Sequence, residues 1–172
     1  MDTESVQRIM SNLKSFLNDR GCIKSTDDAI KLIEQMDSFK SVAERALFIN
    51  ILYTTSFYIN SNETLKTILS RFLVKGGWAA LTIWFKDSLD SKHVTFLTEF
   101  IQTLAQFPIT LELLKSSCIP KSLKAVAKLQ HKPLQLAAKK LLISWKKYVK
   151  DTNESKNKKE IQNKGYSINY KM

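Results

Sequence analysis

Apolar residues recur every three to four positions along most of this chain, which is the spacing of one face of an α-helix. The series Val6, Ile9 and Leu13 is one example, and the pair Ile68 and Phe72 belongs to another. Four glycines and three prolines are too few for the turns of an all-β sandwich or barrel. The pattern therefore predicts an all-α fold, a compact bundle of about eight to nine helices.

Capping residues and helix breakers predict where these helices begin and end. Residues suited to a first turn have a short side-chain oxygen or a fixed φ: Ser25 before Asp27-Asp28, Ser41 with Glu44, Asn62, Pro120 and Pro133. We expect helices at about 2–17, 46–58, 78–85 and 91–107. Stops are expected at Gly21, at Gly76-Gly77 and at Pro108. The second helix is expected to bury four apolar residues: Ala29, Ile30, Ile33 and Met36.

The apolar period stops at Asp151. Residues 151–160 are all polar, a composition typical of disordered linkers. We therefore predict one all-helical domain over residues 1–150 and a disordered basic linker or tail over residues 151–172.

Charge is distributed very unevenly along the chain. Residues 1–112 hold twelve Lys and Arg against thirteen Asp and Glu, whereas residues 113–150 hold ten lysines and no acid. At about 100° per residue eight of these lysines form stripes on two helices, each opposite apolar residues such as Leu123 on the first and Trp145 on the second. The stripes are Lys121, Lys124 and Lys128, and Lys139, Lys140, Lys146, Lys147 and Lys150. We predict that the lysines face a partner, and the candidate partner-binding residues are Lys115, Lys121, Lys124, Lys128, Lys139, Lys140 and Lys146.

Candidate chemistry is sparse. His93 and His131 have no nucleophile or ligand pattern around them, and Cys22 and Cys118 lack metal-ligand spacing. The glycine pair at 76–77 lacks the flanking residues of a phosphate-binding loop. We therefore predict no enzyme activity, no catalytic residue, no metal and no cofactor. No apolar run approaches the ~18 residues of a membrane span, so no membrane association is expected.

Four segments, in order, resemble the N-terminal domain family of transcription elongation factor TFIIS, the LW domain. They are Phe107-Pro108-Ile109-Thr110-Leu111-Glu112-Leu113-Leu114-Lys115, Lys121-Ser122-Leu123-Lys124, Ala137-Ala138-Lys139 and Ser144-Trp145-Lys146-Lys147. The chain departs from the family at Ile119-Pro120-Lys121, where Ile-Gly-Lys is common. Upstream, residues 15–21, 47–52 and 72–78 resemble the corresponding region of PNUTS-type nuclear regulatory subunits of type 1 protein phosphatase.

This resemblance implies a helical, HEAT-like extension over residues 1–88 and a core bundle over residues 89–150. It also implies a nuclear, non-enzymatic interaction domain of the RNA polymerase II machinery in elongation, termination or 3′-end processing. Such domains dock short linear motifs of elongation or termination factors. In a PNUTS-like protein, phosphatase or 3′-end processing factors would bind through regions outside the domain.

Two other functions are compatible with the same residues. The lysine rows predict weak, sequence-indifferent nucleic-acid binding, because arginine, which suits bidentate recognition, is absent from the basic stretch. The second alternative function is that of a structural scaffold subunit.

The segment Lys92-His93-Val94-Thr95-Phe96 matches a basic-x-Val-x-Phe phosphatase-docking pattern. Docking needs an extended peptide, and the spacing of Val94 with Leu97 and Ile101 predicts a helix instead.

Overall fold

The computed structural model describes the backbone of residues 3–169 and the side chains of residues 3–164. Within this part of the chain every regular element is helical, and an isolated antiparallel bridge joins Leu17 to Ile23. The helices are α1 Thr3–Lys14, α2 Thr26–Met36, α3 Val42–Phe57, α4 Glu63–Phe72, α5 Trp78–Asp90, α6 Val94–Leu104, α7 Leu111–Lys115, α8 Ile119–Val126 and α9 Lys132–Asn169. The all-α prediction is confirmed.

The predicted N-terminal caps are confirmed. Ser25 Oγ accepts a hydrogen bond from the Asp28 amide, and Asn62 Oδ1 accepts one from the Leu65 amide, each at 3.1 Å. At α3 the capping box is complete: the Glu44 amide donates to Ser41 Oγ, and the Ser41 amide donates to the Glu44 carboxylate. These bonds satisfy amides that have no partner within the helix.

Several predicted boundaries are wrong by a few residues. α1 ends at Lys14 rather than near Leu17, because the Asn18 side chain accepts the Cys22 amide and closes a turn instead. α5 continues past the predicted end at residue 85 to Asp90, since Ser88 extends its buried face. α6 begins at Val94 rather than Ser91, because Lys92 adopts a left-handed φ of 53°.

The buried face of α2 also differs from the prediction. Ala29, Leu32 and Met36 are buried, whereas Ile30 is 37% exposed and Ile33 is half-buried. α2 packs chiefly against α4. The position of α4 against α2 therefore determines which α2 side chains are buried.

The Gly76-Gly77 stop separates α4 from α5 without a loop. A π-helical turn, Leu73–Gly77, joins the two helices, and Gly76 has a φ of 132°. A Cβ at Gly77 would lie 2.4 Å from the Phe72 ring, so the close approach of the two helices requires glycine there. The kink aims α5 toward α7 and α8.

One hydrophobic core runs through the bundle. Phe39, Phe48 and Trp84 form an aromatic cluster, with Trp84 edge-on to Phe48 at 5.6 Å between ring centroids. Phe85 meets Phe100 of α6 edge-on at 5.2 Å, so the core is continuous across residue 88. The domain boundaries at residues 88 and 150 stay predictions.

The predicted disordered tail over residues 151–172 stays a prediction, and its residues 170–172 lie outside the described part of the chain. α9 continues to Asn169, and side chains 151–164 are exposed except for the half-buried Thr152. A packed helix can extend beyond its contacts, because adding a residue to an existing helix avoids the cost of nucleation. Among the described residues, no helix is long and apolar enough to cross a bilayer.

Candidate functional site

A groove lies between α7, α8 and α9. Its volume is about 330 Å³, and the described residues that line it are Leu111, Leu114, Lys115, Pro120, Lys124, Leu142, Trp145, Lys146 and Val149. We call it the α7–α9 groove. Its floor is apolar, because leucine, proline, valine and tryptophan side chains supply most of its surface.

α7 forms one wall because two hydrogen bonds fix this short helix. Thr110 caps it by accepting the Leu113 amide at 3.3 Å. The carbonyl of Leu113, the central residue of α7, accepts the indole N–H of Trp78 at 2.9 Å, inside the core. Since Leu113 points inward, Leu111 and Leu114 are left to line the groove.

α8 is fixed to α5 in a similar way. The Ser117 hydroxyl accepts the Ile119 amide at 3.0 Å and shares a hydrogen bond with the Thr82 hydroxyl, also at 3.0 Å. Pro120 lies in the first turn, where its missing N–H costs no helical bond, as the sequence predicted. The kinked α5 therefore positions two of the three groove walls.

α9 supplies the third wall through Leu142, Trp145 and Val149, which follow one another at helical spacing. Trp145 is 7% exposed and belongs to the core cluster, as predicted. Its remaining accessible surface faces the groove.

The rim of the groove is basic. Lys115 ends α7, Lys124 lies in the last turn of α8, and Lys146 lies on α9, so each wall contributes one cation. All three are exposed, and no acidic side chain among the described residues lines the groove. An apolar floor with a cationic rim suits a ligand that is apolar at its centre and acidic at its edges.

The structure divides the seven predicted partner-binding lysines into two sets. Lys115, Lys124 and Lys146 converge on the groove, and the other four are exposed elsewhere: Lys121, Lys128, Lys139 and Lys140. An apolar groove between the C-terminal helices agrees with the sequence-based expectation, but the apolar residues of its floor are not among the predicted partner-binding residues. The sequence feature that indicates this floor is the apolar face of α9. Leu142 and Val149 flank Trp145, so the apolar face is wider than packing against one neighbouring helix requires.

The remaining candidate groups have structural explanations. His131 caps α9, because its Nδ1 accepts the Leu134 amide at 3.2 Å. Burial raises the pKa of the Cys22 thiol, although nearby Arg20 opposes this shift. Cys118 is exposed and free. Within the described residues, no group of three histidine, cysteine or carboxylate side chains is placed to hold a metal.

Comparison with known proteins shows that the segment containing the groove is similar to a known domain. Residues 99–149 match the family model of the TFIIS helical bundle-like domain (Med26). The match contains all of α7 and α8 and the packed part of α9, and hence every residue that lines the groove. The resemblance predicted from the C-terminal motifs is confirmed.

Curated relatives extend the similarity over nearly the whole chain. Serine/threonine-protein phosphatase 1 regulatory subunit 10 from Macaca mulatta and from Sus scrofa is 27% identical over 166 residues, which covers 94% of this chain. The Mus musculus protein is 24% identical over the same share. The predicted similarity to PNUTS-type subunits is thus confirmed. The chain spans only 17–18% of the length of these relatives, which are named as regulatory rather than catalytic subunits.

Proposed function

We propose that this chain is a non-enzymatic protein-interaction domain of the RNA polymerase II transcription machinery, acting in elongation, termination or 3′-end processing. It docks short linear motifs of disordered partner proteins in the α7–α9 groove. The observation that carries the proposal is the groove itself, an apolar floor of about 330 Å³ with Lys115, Lys124 and Lys146 at its rim. The match to the TFIIS helical bundle-like domain supports it.

The groove and its lysines have different roles in this docking. Full burial of one leucine or phenylalanine anchor contributes about 1.5–3 kcal/mol. An ion pair with an exposed lysine contributes only about 0.2–1 kcal/mol and is screened by salt. The apolar anchor therefore supplies most of the affinity, while the rim orients the acidic flanks of the motif and accelerates association.

We infer that the chain belongs to a regulatory subunit of type 1 phosphatase, as the names of its curated relatives state for them. We propose a nuclear location on the basis of the transcription function alone. Phosphatase contact would then lie outside these 172 residues. The pattern at Lys92–Phe96 does not supply it, because Phe96 is 3% exposed and packs edge-on against Phe100 at 5.6 Å. A docking phenylalanine must be free to enter its partner.

The test is a fluorescence titration with a labelled peptide that carries one phenylalanine anchor between acidic residues. Val149→Glu places a negative charge in the groove without touching the core cluster, and we expect it to weaken binding at least about tenfold, equivalent to ~1.4 kcal/mol. Ile83→Glu makes the same charge change on an exposed position of α5 and should leave binding unchanged. Equal effects of the two variants would exclude the groove as the docking site.

A parallel titration with duplex DNA separates peptide docking from nucleic-acid binding by the same lysines. Affinity for DNA falls steeply with salt, with a slope near −0.9 per neutralised phosphate in a double-logarithmic plot. Affinity for an apolar anchor should persist at about 300 mM salt. If only DNA binds, and the binding disappears with salt, the docking function is wrong.

A further inference from the structure

The outer face of α9 carries two aliphatic side chains that nothing in the described structure covers. Leu136 and Ile143 are each 68% exposed. They are seven residues apart, so they lie on nearly the same line along the helix. The opposite side of α9 is buried through Leu134, Leu141 and Trp145. We call the exposed line and the lysines beside it the α9 outer stripe.

Lysines surround these two aliphatic residues. Lys139, Lys140 and Lys147 are exposed on the same side of α9, and residues 132–150 contain no acid. None of the three lines the α7–α9 groove, and the apolar α9 residues of that groove, Leu142, Trp145 and Val149, lie about a third of the helix circumference or more away. Lys146 of the groove rim lies on nearly the same line as Lys139, seven residues before it. The two surfaces therefore have separate apolar residues and adjoin at Lys146.

The order of these residues follows the heptad pattern of paired helices over two repeats. With Leu136 and Ile143 at d positions, Lys140 and Lys147 fall at a positions and Lys139 and Lys146 at g positions. Apolar d residues pack against a neighbouring helix, a lysine at an a position specifies register and oligomer state, and residues at g set the choice of partner. Lysines at a would meet each other in a symmetric pair, and this like-charge contact disfavours a second copy of the chain.

We propose that the α9 outer stripe docks an acidic amphipathic helix of a partner protein. Leu136 and Ile143 enter the apolar seam of that helix, and Lys140 and Lys147 pair with glutamate or aspartate at its facing positions. The lysine stems cover the rest of the seam, because their methylenes pack on apolar surface while the ammonium groups stay in water. The apolar anchors of this surface are distinct from those of the groove.

Charge and shape favour this occupant over other anions. A nucleic-acid backbone would contact the lysines but would bury neither Leu136 nor Ile143. A flat anionic membrane would reach both aliphatic residues, but only two of them face it, about 10 Å apart along the helix. An acidic helix uses both kinds of group at once, since its own side chains repeat at the same spacing.

The experiment uses the full chain and a labelled helical peptide of about three heptads, with leucine at d and glutamate at a, e and g. We expect saturable binding that Leu136→Ser with Ile143→Ser weakens at least about tenfold. These residues are exposed, so the variant should keep the circular dichroism spectrum and unfolding midpoint of the wild type. Lys140→Glu with Lys147→Glu should abolish binding, and a probe with lysine at its a positions should restore it.

A matched control removes two lysines elsewhere. Lys121→Gln with Lys128→Gln changes the net charge by the same amount as Lys140→Gln with Lys147→Gln, but on α8 and the turn that follows it. The stripe variant should weaken binding several-fold more than the control. The proposal would be overturned if the two glutamine variants lost equal amounts of binding, or if the serine variant bound as well as the wild type. It would also be overturned if the probe with lysine at its a positions failed to restore binding to the glutamate variant. Tighter binding of duplex DNA or of phosphatidylserine vesicles through the same residues, or self-association of the chain, would also overturn it.

Discussion

The junction between α4 and α5 makes the sharpest stability prediction. Gly77 has helical dihedral angles, with φ −60° and ψ −42°. On helix propensity alone, Gly77→Ala should stabilise the protein by about 1 kcal/mol. The structure predicts the opposite sign, because the added Cβ would lie 2.4 Å from Phe72 Cε1 and 2.6 Å from the Phe72 carbonyl oxygen.

The magnitude follows from what would have to move. Phe72 is fully buried and packs on Phe48 at 6.0 Å between ring centroids, so its ring has no free space to enter. Overpacking a core typically costs about 1–3 kcal/mol. The carbonyl clash also requires a backbone shift between α4 and α5. We therefore expect a loss of about 3 kcal/mol in the free energy of unfolding, and a Tm lower by roughly 6–12 °C for a chain of this size.

Urea and thermal unfolding followed by circular dichroism measure this loss. Ala79→Gly on the exposed face of α5 is the matched control, and it should cost only about 1 kcal/mol through propensity. A Gly77→Ala protein as stable as the wild type would refute the reasoning, since the two helices would then tolerate a wider junction. Because this junction aims α5 at the groove walls, the variant should also weaken binding of the groove peptide.

Three further predictions concern single side chains. Trp78→Phe removes the hydrogen bond to the Leu113 carbonyl and should lower the free energy of unfolding by about 1–2 kcal/mol. It should also weaken binding of the groove peptide, because α7 loses a bond that holds it in place. Unchanged peptide affinity would show that α7 does not need this bond. His131→Ala removes the cap of α9 and should lower the free energy of unfolding in urea by about 0.5–2 kcal/mol. His131→Asn should keep most of the wild-type stability, because asparagine also caps helices. Equal losses of stability in the two variants would exclude a capping role. A thiol reagent should modify Cys118 in the native protein but Cys22 only after unfolding. Because burial raises the pKa of Cys22 above its ordinary value of 9.0, the unfolded thiol ionises first, and stability should fall as the pH rises above 9.0.

Local features of the fold were predictable from the sequence, and features set by neighbouring elements were not. The caps at Ser25, Ser41 and Asn62 involve groups three residues apart, so sequence spacing contains all the necessary information. The burial of Leu32 in place of Ile30 depends on where α4 lies against α2.

The same distinction applies to the candidate site. Helical periodicity predicted that the lysines of residues 113–150 point outward, and all seven chosen lysines are exposed. Periodicity could not show that Lys124 shares a groove with Lys115 and Lys146 while Lys121 does not. That grouping depends on how α7, α8 and α9 pack, which is fixed in part by the distant Trp78.

The arrangement of α9 explains why one basic stretch can contain two binding surfaces. One side of the helix is buried through Leu134 and Leu141, and the two surfaces lie on the sides that remain. Leu142 and Val149 place the groove beside the buried side, whereas Ile143 lies opposite it. The apolar anchors of the two surfaces lie about a third of a turn apart on a helix that is ~10–12 Å wide with its side chains, and Lys146 lies between them. Both ligands are expected to be acidic, so they share a long-range attraction to the same lysines but have separate apolar anchors. Saturating one surface should therefore reduce the association rate at the other through partial charge neutralisation, while leaving its dissociation rate unchanged.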